Sequence, residues 1–259
     1  FAVQMASLNR RANLLQKNVS GSREMNRIAS GIAGFDPLIE GGFPAGKSYI
    51  ITGAPGAGKS VFCMQFVLQG LAAGEKAVYV AIDETPAEII EQAASLGLDL
   101  AKYTDTKELL ILDASSHFSK RAGTDKEVDL QRAVTDLASY VNRTDARRLV
   151  IDPVGPLILL RDSTSRIQDQ ARQLIHSLQT TMKTTNLLTC YPVPRIGEQA
   201  EHGVEEYLAA GVIVLRFKRT VDRRVRTLAI EKMRATAIDL KEHEFTIEKG
   251  RGIALAPLS

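Results

Sequence analysis

Short apolar runs alternate with amphipathic stretches along most of this chain. Runs that are apolar at nearly every position are typical of strands buried on both faces of a parallel sheet. Such runs predict strands at residues 48–52, 77–82, 109–113, 148–152 and 187–191. Because helical patterns separate several of these strands, we predict an α/β fold with a mainly parallel central sheet that is flanked by helices.

Apolar residues at helical spacing predict the helices between the strands. We expect helices at residues 61–73, 86–95, 130–141 and 167–182. Thr85 and Glu88 form a capping box for the second of these, with Pro86 at its first position, and Ser165 is a candidate cap for the last.

The last part of the chain is richer in strand patterns. Residues 211–217 and 225–232 predict two strands joined by a charged turn, and residues 245–247 and 252–255 predict short strands after them. This C-terminal β-hairpin section and the P-loop region described below belong to one predicted domain, residues 25–259. Residues 1–24 form a separate segment, for which an N-terminal arm that docks on a neighbouring subunit, a leader and a mobile tail all stay open.

Composition and charge exclude several classes of protein. No apolar run reaches the roughly 18 residues that a membrane span needs, so we expect no membrane association. The only cysteines, Cys63 and Cys190, form no CxxC pair, which favours a reducing, cytoplasmic location over a disulfide scaffold. Residues 1–27 carry five basic side chains and one acidic one, so the rest of the chain has a formal charge of −1 within the total of +3.

One stretch matches the phosphate-binding loop G-x-x-x-x-G-K-[ST]. A predicted strand precedes it and a predicted helix follows it, which is the context that the motif needs. Lys59 is expected to reach the β- and γ-phosphates, and the Ser60 hydroxyl to bind Mg²⁺. The predicted nucleotide-binding residues are Gly53, Ala54, Pro55, Gly56, Ala57, Gly58, Lys59, Ser60 and Val61.

Acidic residues follow two of the core strands. Asp83 and Glu84 come after the second strand, and Asp152 ends the strand at residues 148–152 in a Walker B pattern. Ligands bind at the carboxyl edge of open α/β sheets, so we expect these carboxylates near the P-loop. Asp152 is predicted to bind Mg²⁺ together with Ser60.

The order of P-loop, acidic pair, Walker B strand and terminal β-rich section resembles RecA-like ATPases. Further segments resemble the KaiC family, most closely the N-terminal, ATP-hydrolysing domain of its members, over about residues 26–259. These segments are Arg27-Ile28-Ala29-Ser30-Gly31-Ile32 with Gly34-Phe35-Asp36, Asp83-Glu84-Thr85-Pro86, Leu112-Asp113-Ala114-Ser115, Gly203-Val204-Glu205-Glu206-Tyr207 and Lys232-Met233-Arg234-Ala235-Thr236.

The resemblance implies a homohexameric ring with ATP and Mg²⁺ held between subunits. It implies that an acidic pair, here Asp83 and Glu84, lies beside the γ-phosphate. It also implies that Lys232 and Arg234 reach across the interface to the neighbour's γ-phosphate, although the strand pattern alone favours a solvated face for both. Together with Lys59, these four residues are the predicted catalytic set.

Departures from the family pattern qualify this expectation. The acidic pair is usually two glutamates, so Glu84 rather than Asp83 is the predicted residue for orienting or deprotonating the attacking water. Pro153 follows the Walker B aspartate, which predicts a cis Asp152–Pro153 bond. The loop at residues 235–238 differs from the family, and residues 197–206 contain no Ser or Thr for autophosphorylation.

The predicted function is hydrolysis of ATP to ADP and phosphate as a switch for a partner, with the loop at residues 115–127 as a candidate site for a small regulatory protein. A DNA repair or recombination ATPase is one alternative, favoured by cations around the predicted hairpin and disfavoured by the acidic segment 197–201. A nucleotide-gated structural subunit with little turnover is another. The cations are Arg216, Lys218, Arg219, Arg223, Arg224 and Arg226.

Overall fold

A computed structural model of the chain describes residues 25–114, 130–155, 164–191 and 209–256. Its strands are β1 (Arg27–Ile28), β2 (Phe43–Pro44), β3 (Ser48–Gly53), β4 (Lys76–Ala81), β5 (Leu109–Asp113), β6 (Ala146–Asp152), β7 (Thr185–Cys190), β8 (Gly211–Arg219), β9 (Arg224–Met233), β10 (His243–Glu248) and β11 (Gly252–Leu255). Its α-helices are α1 (Lys59–Ala72), α2 (Pro86–Ser95), α3 (Ala101–Asp105), α4 (Leu130–Thr144) and α5 (Thr164–Thr181).

Within the described residues, nine strands form one sheet in the order β11-β10-β9-β8-β3-β7-β6-β4-β5. The run from β8 to β5 is parallel throughout, whereas β9, β10 and β11 add to its edge as antiparallel strands. The predicted α/β architecture, with a mainly parallel sheet and a C-terminal β-hairpin section, is therefore confirmed. β1 and β2 form a separate antiparallel pair.

The two faces of the sheet bury separate apolar layers. One layer packs α1 against the aromatic side chains of Phe35, Phe43 and Tyr49, and the other packs α4 and α5 against Ile50 and Ile151. Alternate residues of β3 contribute to opposite layers, which explains why its sequence is apolar at consecutive positions. No helix in the described part of the chain is long and apolar enough to cross a bilayer.

Local signals predicted both ends of α2 correctly. The capping box at α2 is present, since Thr85 accepts from the Glu88 N–H and the Glu88 side chain accepts from the Thr85 N–H. The suggestion that Ser165 caps α5 is wrong, because the helix already begins at Thr164.

Three short elements were predicted only as turns or not at all. They are the β1–β2 pair, a 3-10 helix at Asp36–Ile39 and α3. Long-range contacts hold the first two together, because the Arg27 guanidinium donates to the carbonyls of Ile39 and Gly42. The arm at residues 1–24, the loop at 115–127 and the segment at 197–207 lie outside the described residues.

Candidate nucleotide-binding site

The P-loop joins the end of β3 to the start of α1, as its strand–loop–helix context predicts. Gly53 is required by close packing, because a Cβ there would lie 2.4 Å from the Leu215 carbonyl oxygen of the neighbouring strand. Gly58, the residue before α1, has a φ of 114°, which side chains rarely adopt. The loop can therefore turn backbone N–H groups towards a phosphate at the positive end of α1.

Lys59 lies over the loop and is almost fully buried. Its ammonium donates to the carbonyl oxygens of Gly53 at 2.7 Å and Ala54 at 3.3 Å. It also lies 4.5 Å from the centre of the Tyr191 ring. Burial lowers the pKa of Lys59, and the nearby carboxylate of Asp152 partly opposes that effect.

Asp152 ends β6, and hydroxyl groups from both neighbouring strands fix its carboxylate. Tyr79 on β4 donates to Oδ2 at 2.6 Å, and Thr189 on β7 donates to Oδ1. The predicted cis peptide bond between Asp152 and Pro153 is confirmed. An oriented carboxylate and the hydroxyl of Ser60, at the start of α1, suit Mg²⁺, which takes one or two protein oxygens besides phosphate and water.

The predicted acidic pair follows β4 at the same edge of the sheet. The Ile82 N–H donates to the Asp152 carbonyl oxygen, so the end of β4 lies directly beside the end of β6. Glu84 accepts a 2.7 Å hydrogen bond from the Gln92 amide on α2, and Asp83 accepts from the Tyr191 hydroxyl at 3.4 Å. The structure thus brings the acidic pair, Asp152 and the P-loop to one edge, as predicted.

Tyr191 also lies at this edge, although the sequence patterns did not select it. It follows β7, which lies between the P-loop strand β3 and the Walker B strand β6. The rule that selected Asp83 and Asp152, a polar side chain at the carboxyl end of a central strand, applies equally to this tyrosine.

Lys232 and Arg234 lie where the parallel strands β3 and β8 begin, at the opposite end of these strands from the P-loop. We call the two ends the cationic edge and the P-loop edge of the sheet. Gly211 pairs with both Tyr49 at the start of β3 and Met233 at the end of β9, whereas Gly53 at the end of β3 pairs with Leu215. Four residues of strand, roughly 13 Å, separate the two levels. Burial lowers the pKa of Lys232, and the charge of Arg234 lowers it further.

Acidic partners neutralise much of the cationic hairpin formed by β8 and β9. Arg216 lies 2.6 Å from Glu231, Lys218 lies 3.3 Å from Glu242, and Arg223 lies 2.7 Å from Glu244. Two further cations are also engaged, since Arg224 stacks on Phe217 and Arg226 donates to the Gly56 carbonyl of the P-loop. These contacts disfavour the use of the hairpin as a DNA-binding surface.

The family model described as "ATPase: KaiC" matches residues 28–259. The chain belongs to the KaiC ATPase family. The expected resemblance to the KaiC family is therefore confirmed.

Several proteins show the extent of the similarity. The circadian clock oscillator protein KaiC of Synechococcus elongatus is 34% identical over 246 residues, and that of Acaryochloris marina is 33% identical over 254 residues. These alignments cover 93% and 96% of this chain but 46% and 48% of the relatives, so the chain spans about half the length of the curated relatives it matches.

The fold also matches a solved structure. The crystal structure of a KaiC-like protein from the hyperthermophilic archaeon Pyrococcus horikoshii OT3 superposes with a TM-score of 0.76 at 31% identity. The match covers 90% of this chain and all of the archaeal one. The RecA-type KaiC-like fold is thus established over nearly the whole chain.

Proposed function

We propose that this protein binds and hydrolyses ATP with Mg²⁺ at the subunit interfaces of a homo-oligomeric ring. The observation that carries the proposal is the separation of Lys232 and Arg234 from the P-loop, at opposite edges of one sheet. A γ-phosphate at the P-loop is out of reach of these cations in the same chain. Two chains arranged head to tail bring the two edges together, which a ring does at every interface.

The P-loop edge supplies binding and the water-activating group. Lys59 and the loop N–H groups bind the phosphates, and Ser60 and Asp152 hold Mg²⁺, which when bound neutralises charge on the phosphate oxygens. Glu84, held by Gln92, orients the attacking water and accepts its proton. Asp83 lies beside it and supports its placement.

The opposite edge supplies the cations. Negative charge spreads over the equatorial phosphoryl oxygens in the transition state, and a fixed guanidinium stabilises that charge. Since Arg234 comes from the neighbouring subunit, hydrolysis depends on assembly. Hydrolysis would in turn change the contacts at each interface, which provides a switch that a partner protein can detect, with residues 115–127 as its candidate site.

Mixing two inactive variants tests this proposal directly. Lys59→Met disables the P-loop edge and Arg234→Ala disables the cationic edge. Each variant alone should therefore form rings that do not hydrolyse ATP. In a mixed ring, the P-loop of an Arg234→Ala chain meets the intact cations of a Lys59→Met chain. We expect the mixture to regain part of the parent's ATPase activity, measured as phosphate release, while light scattering confirms assembly.

The matched control mixes two defects of the same edge. Lys59→Met with Asp152→Asn leaves no complete interface, so activity should stay at the level of the single variants. If the Lys59→Met and Arg234→Ala mixture also stays inactive in a well-formed ring, the interfacial site is wrong.

The remaining alternatives give different results. A ring of the parent protein that binds ATP without releasing phosphate indicates a nucleotide-gated structural subunit. Salt-dependent binding of single-stranded DNA indicates a recombination or repair ATPase.

A further inference from the structure

Tyr191 contacts two of the predicted catalytic residues, Lys59 and Asp83, each with a different part of its side chain. Its ring faces the Lys59 ammonium at 4.5 Å, and its hydroxyl lies 3.4 Å from Oδ2 of Asp83. The residue is 50% exposed, so it does not belong to the packed core.

The two contacts have separate physical origins. The negative face of an aromatic ring attracts a cation, and phenylalanine retains that attraction. The hydrogen bond to Asp83 depends on the phenol alone. Burial raises the pKa of the Tyr191 phenol, and the carboxylates of Asp83 and Asp152 raise it further, so the hydroxyl keeps its proton and acts as a donor at neutral pH.

The position of Lys59 gives these contacts a consequence for nucleotide binding. The ammonium donates to the carbonyls of Gly53 and Ala54 while it lies over the Tyr191 ring. A bound phosphate competes with these partners for the ammonium, and we expect it to draw Lys59 away from them. Movement of Lys59 therefore removes the cation from the ring whose hydroxyl holds Asp83.

We infer that Tyr191 is a positioning residue that couples Lys59 to Asp83 and thereby links occupation of the P-loop to placement of the acidic pair. This inference deepens the proposed function and rests on it for the identity of the nucleotide.

Two substitutions separate the two contacts. Tyr191→Phe keeps the ring and loses the hydroxyl, so we expect ATP affinity to stay within twofold of the parent while kcat falls about three- to tenfold. Tyr191→Leu also removes the ring that competes for Lys59. We expect this variant to bind ATP about two- to fivefold more tightly and to show the same loss of kcat.

Tyr140 provides a matched control. It is 36% exposed, and the Arg143 guanidinium lies 4.9 Å from its ring, but it belongs to α4 and not to the P-loop edge. Tyr140→Phe and Tyr140→Leu should leave ATP affinity and kcat unchanged. Equal effects at Tyr140 and Tyr191 would overturn the inference.

A nucleotide-free measurement tests the contact to Asp83 itself. The chain has six tyrosines, so incorporation of 3-fluorotyrosine introduces six fluorine labels, one of them at Tyr191. The Tyr191 resonance is the one that Tyr191→Phe removes. We expect Asp83→Asn to shift it, and Asp136→Asn, on the helix of Tyr140, to leave it in place.

The outcomes distinguish the inference from the proposed function. If the parent hydrolyses ATP but Tyr191→Phe matches it and Asp83→Asn leaves the resonance unmoved, the inference fails and the function stands. If the parent binds ATP without turnover, yet Tyr191→Leu tightens binding and the resonance shifts, the inference stands and hydrolysis fails. If the parent binds no nucleotide, both fail.

Discussion

The hydroxyl of Tyr79 donates a 2.6 Å hydrogen bond to Oδ2 of Asp152, from one buried strand to the next. The tyrosine is fully buried, so the bond links the core of the sheet to the carboxylate at its edge. Thr189 holds the other carboxylate oxygen from the opposite side. The orientation of the proposed Mg²⁺ ligand is thus fixed by the sheet rather than by a loop.

We expect Tyr79→Phe to raise the Mg²⁺ concentration that half-saturates ATP hydrolysis severalfold, because Asp152 loses one of its two fixed donors. The free energy of unfolding should fall by about 1.5 kcal/mol, in the range for a hydrogen bond to a charged group. A Mg²⁺ titration of steady-state hydrolysis, together with urea unfolding, measures both effects.

Tyr49→Phe is the matched control for this substitution. Tyr49 is also fully buried in the same sheet, and its hydroxyl donates at 2.6 Å to the Pro44 carbonyl, away from Asp152. This variant should lose stability without any change in the Mg²⁺ requirement. A raised Mg²⁺ requirement in both variants would mean that loss of stability, and not Asp152, causes it.

The electrostatic interaction between Lys59 and Asp152 predicts a pH effect on nucleotide binding. Burial lowers the pKa of Lys59 and the Asp152 carboxylate raises it, so removal of the carboxylate should lower the pKa further. As pH rises through that pKa, the ammonium loses the charge that attracts phosphate. We therefore expect the alkaline loss of ADP binding to begin at lower pH in Asp152→Asn than in the parent.

Mg²⁺-free calorimetric titrations with ADP across neutral to alkaline pH measure this effect without the metal. The alkaline limit is the pH at which ADP binding is lost as pH rises. Ser60→Ala removes the other proposed Mg²⁺ ligand but changes no charge, so its alkaline limit should match that of the parent. An unshifted limit in Asp152→Asn would show that the carboxylate does not act on Lys59.

The sequence predicted this edge of the sheet well because its signals are local. The P-loop glycines, the capping box at Thr85 and the acids after β4 and β6 each depend on neighbouring residues or on a general rule about strand ends. Those signals were sufficient to place Lys59, Asp83, Glu84 and Asp152 together.

Relationships across the sheet were not predictable in the same way. The strand order puts Tyr191 between the P-loop strand and the Walker B strand, and the register of β9 puts Lys232 level with the start of β8, away from the P-loop. Neither fact follows from spacing along the chain. Arg148 began a predicted strand, yet it is buried, because Glu75 and two backbone carbonyls satisfy its guanidinium. Burial of a charge depends on partners that are distant in sequence.

Gly70 illustrates how such a distant partner reverses a local preference. Helix propensity alone predicts that Gly70→Ala stabilises α1 by about 1 kcal/mol. A Cβ at this position, however, would lie 2.2 Å from Nε and 2.5 Å from Cδ of Arg148. The arginine cannot move away cheaply, because it donates to Glu75 and to the carbonyls of Ala29 and Phe66. We expect Gly70→Ala to lower the free energy of unfolding by about 2 kcal/mol.

Urea unfolding of Gly70→Ala in two backgrounds separates the opposing effects. In the parent, the clash with Arg148 should dominate. In an Arg148→Met background the clash is relieved, and the added methyl group should be neutral or stabilising relative to Arg148→Met alone. An increase in stability in the parent background would contradict the proposed role of Arg148.

Glu84 and Asp83 should differ sharply in their effect on turnover. Glu84→Gln keeps the size of the side chain and its contact with the Gln92 amide but removes the group that accepts the proton of water. General base catalysis contributes typically 10²–10⁴-fold, so we expect kcat to fall at least about 100-fold with ATP binding nearly unchanged. Asp83→Asn should reduce kcat by no more than about tenfold. Single-turnover hydrolysis and ATP titrations measure the two variants, and a larger loss in Asp83→Asn would assign the water to Asp83 instead.

Glu84→Gln also tests which edge of the sheet Glu84 acts with. Glu84 belongs to the P-loop edge, so a mixture of Glu84→Gln with Arg234→Ala chains contains interfaces in which the P-loop, Glu84 and the neighbour's cations are all intact. Phosphate release should therefore recover in that mixture, whereas Glu84→Gln mixed with Lys59→Met should stay inactive because both defects lie on one edge. Recovery in the second mixture would place Glu84 with the neighbour's cations rather than with the P-loop. That result would conflict with the position of Glu84 after β4, whose end lies beside the end of β6.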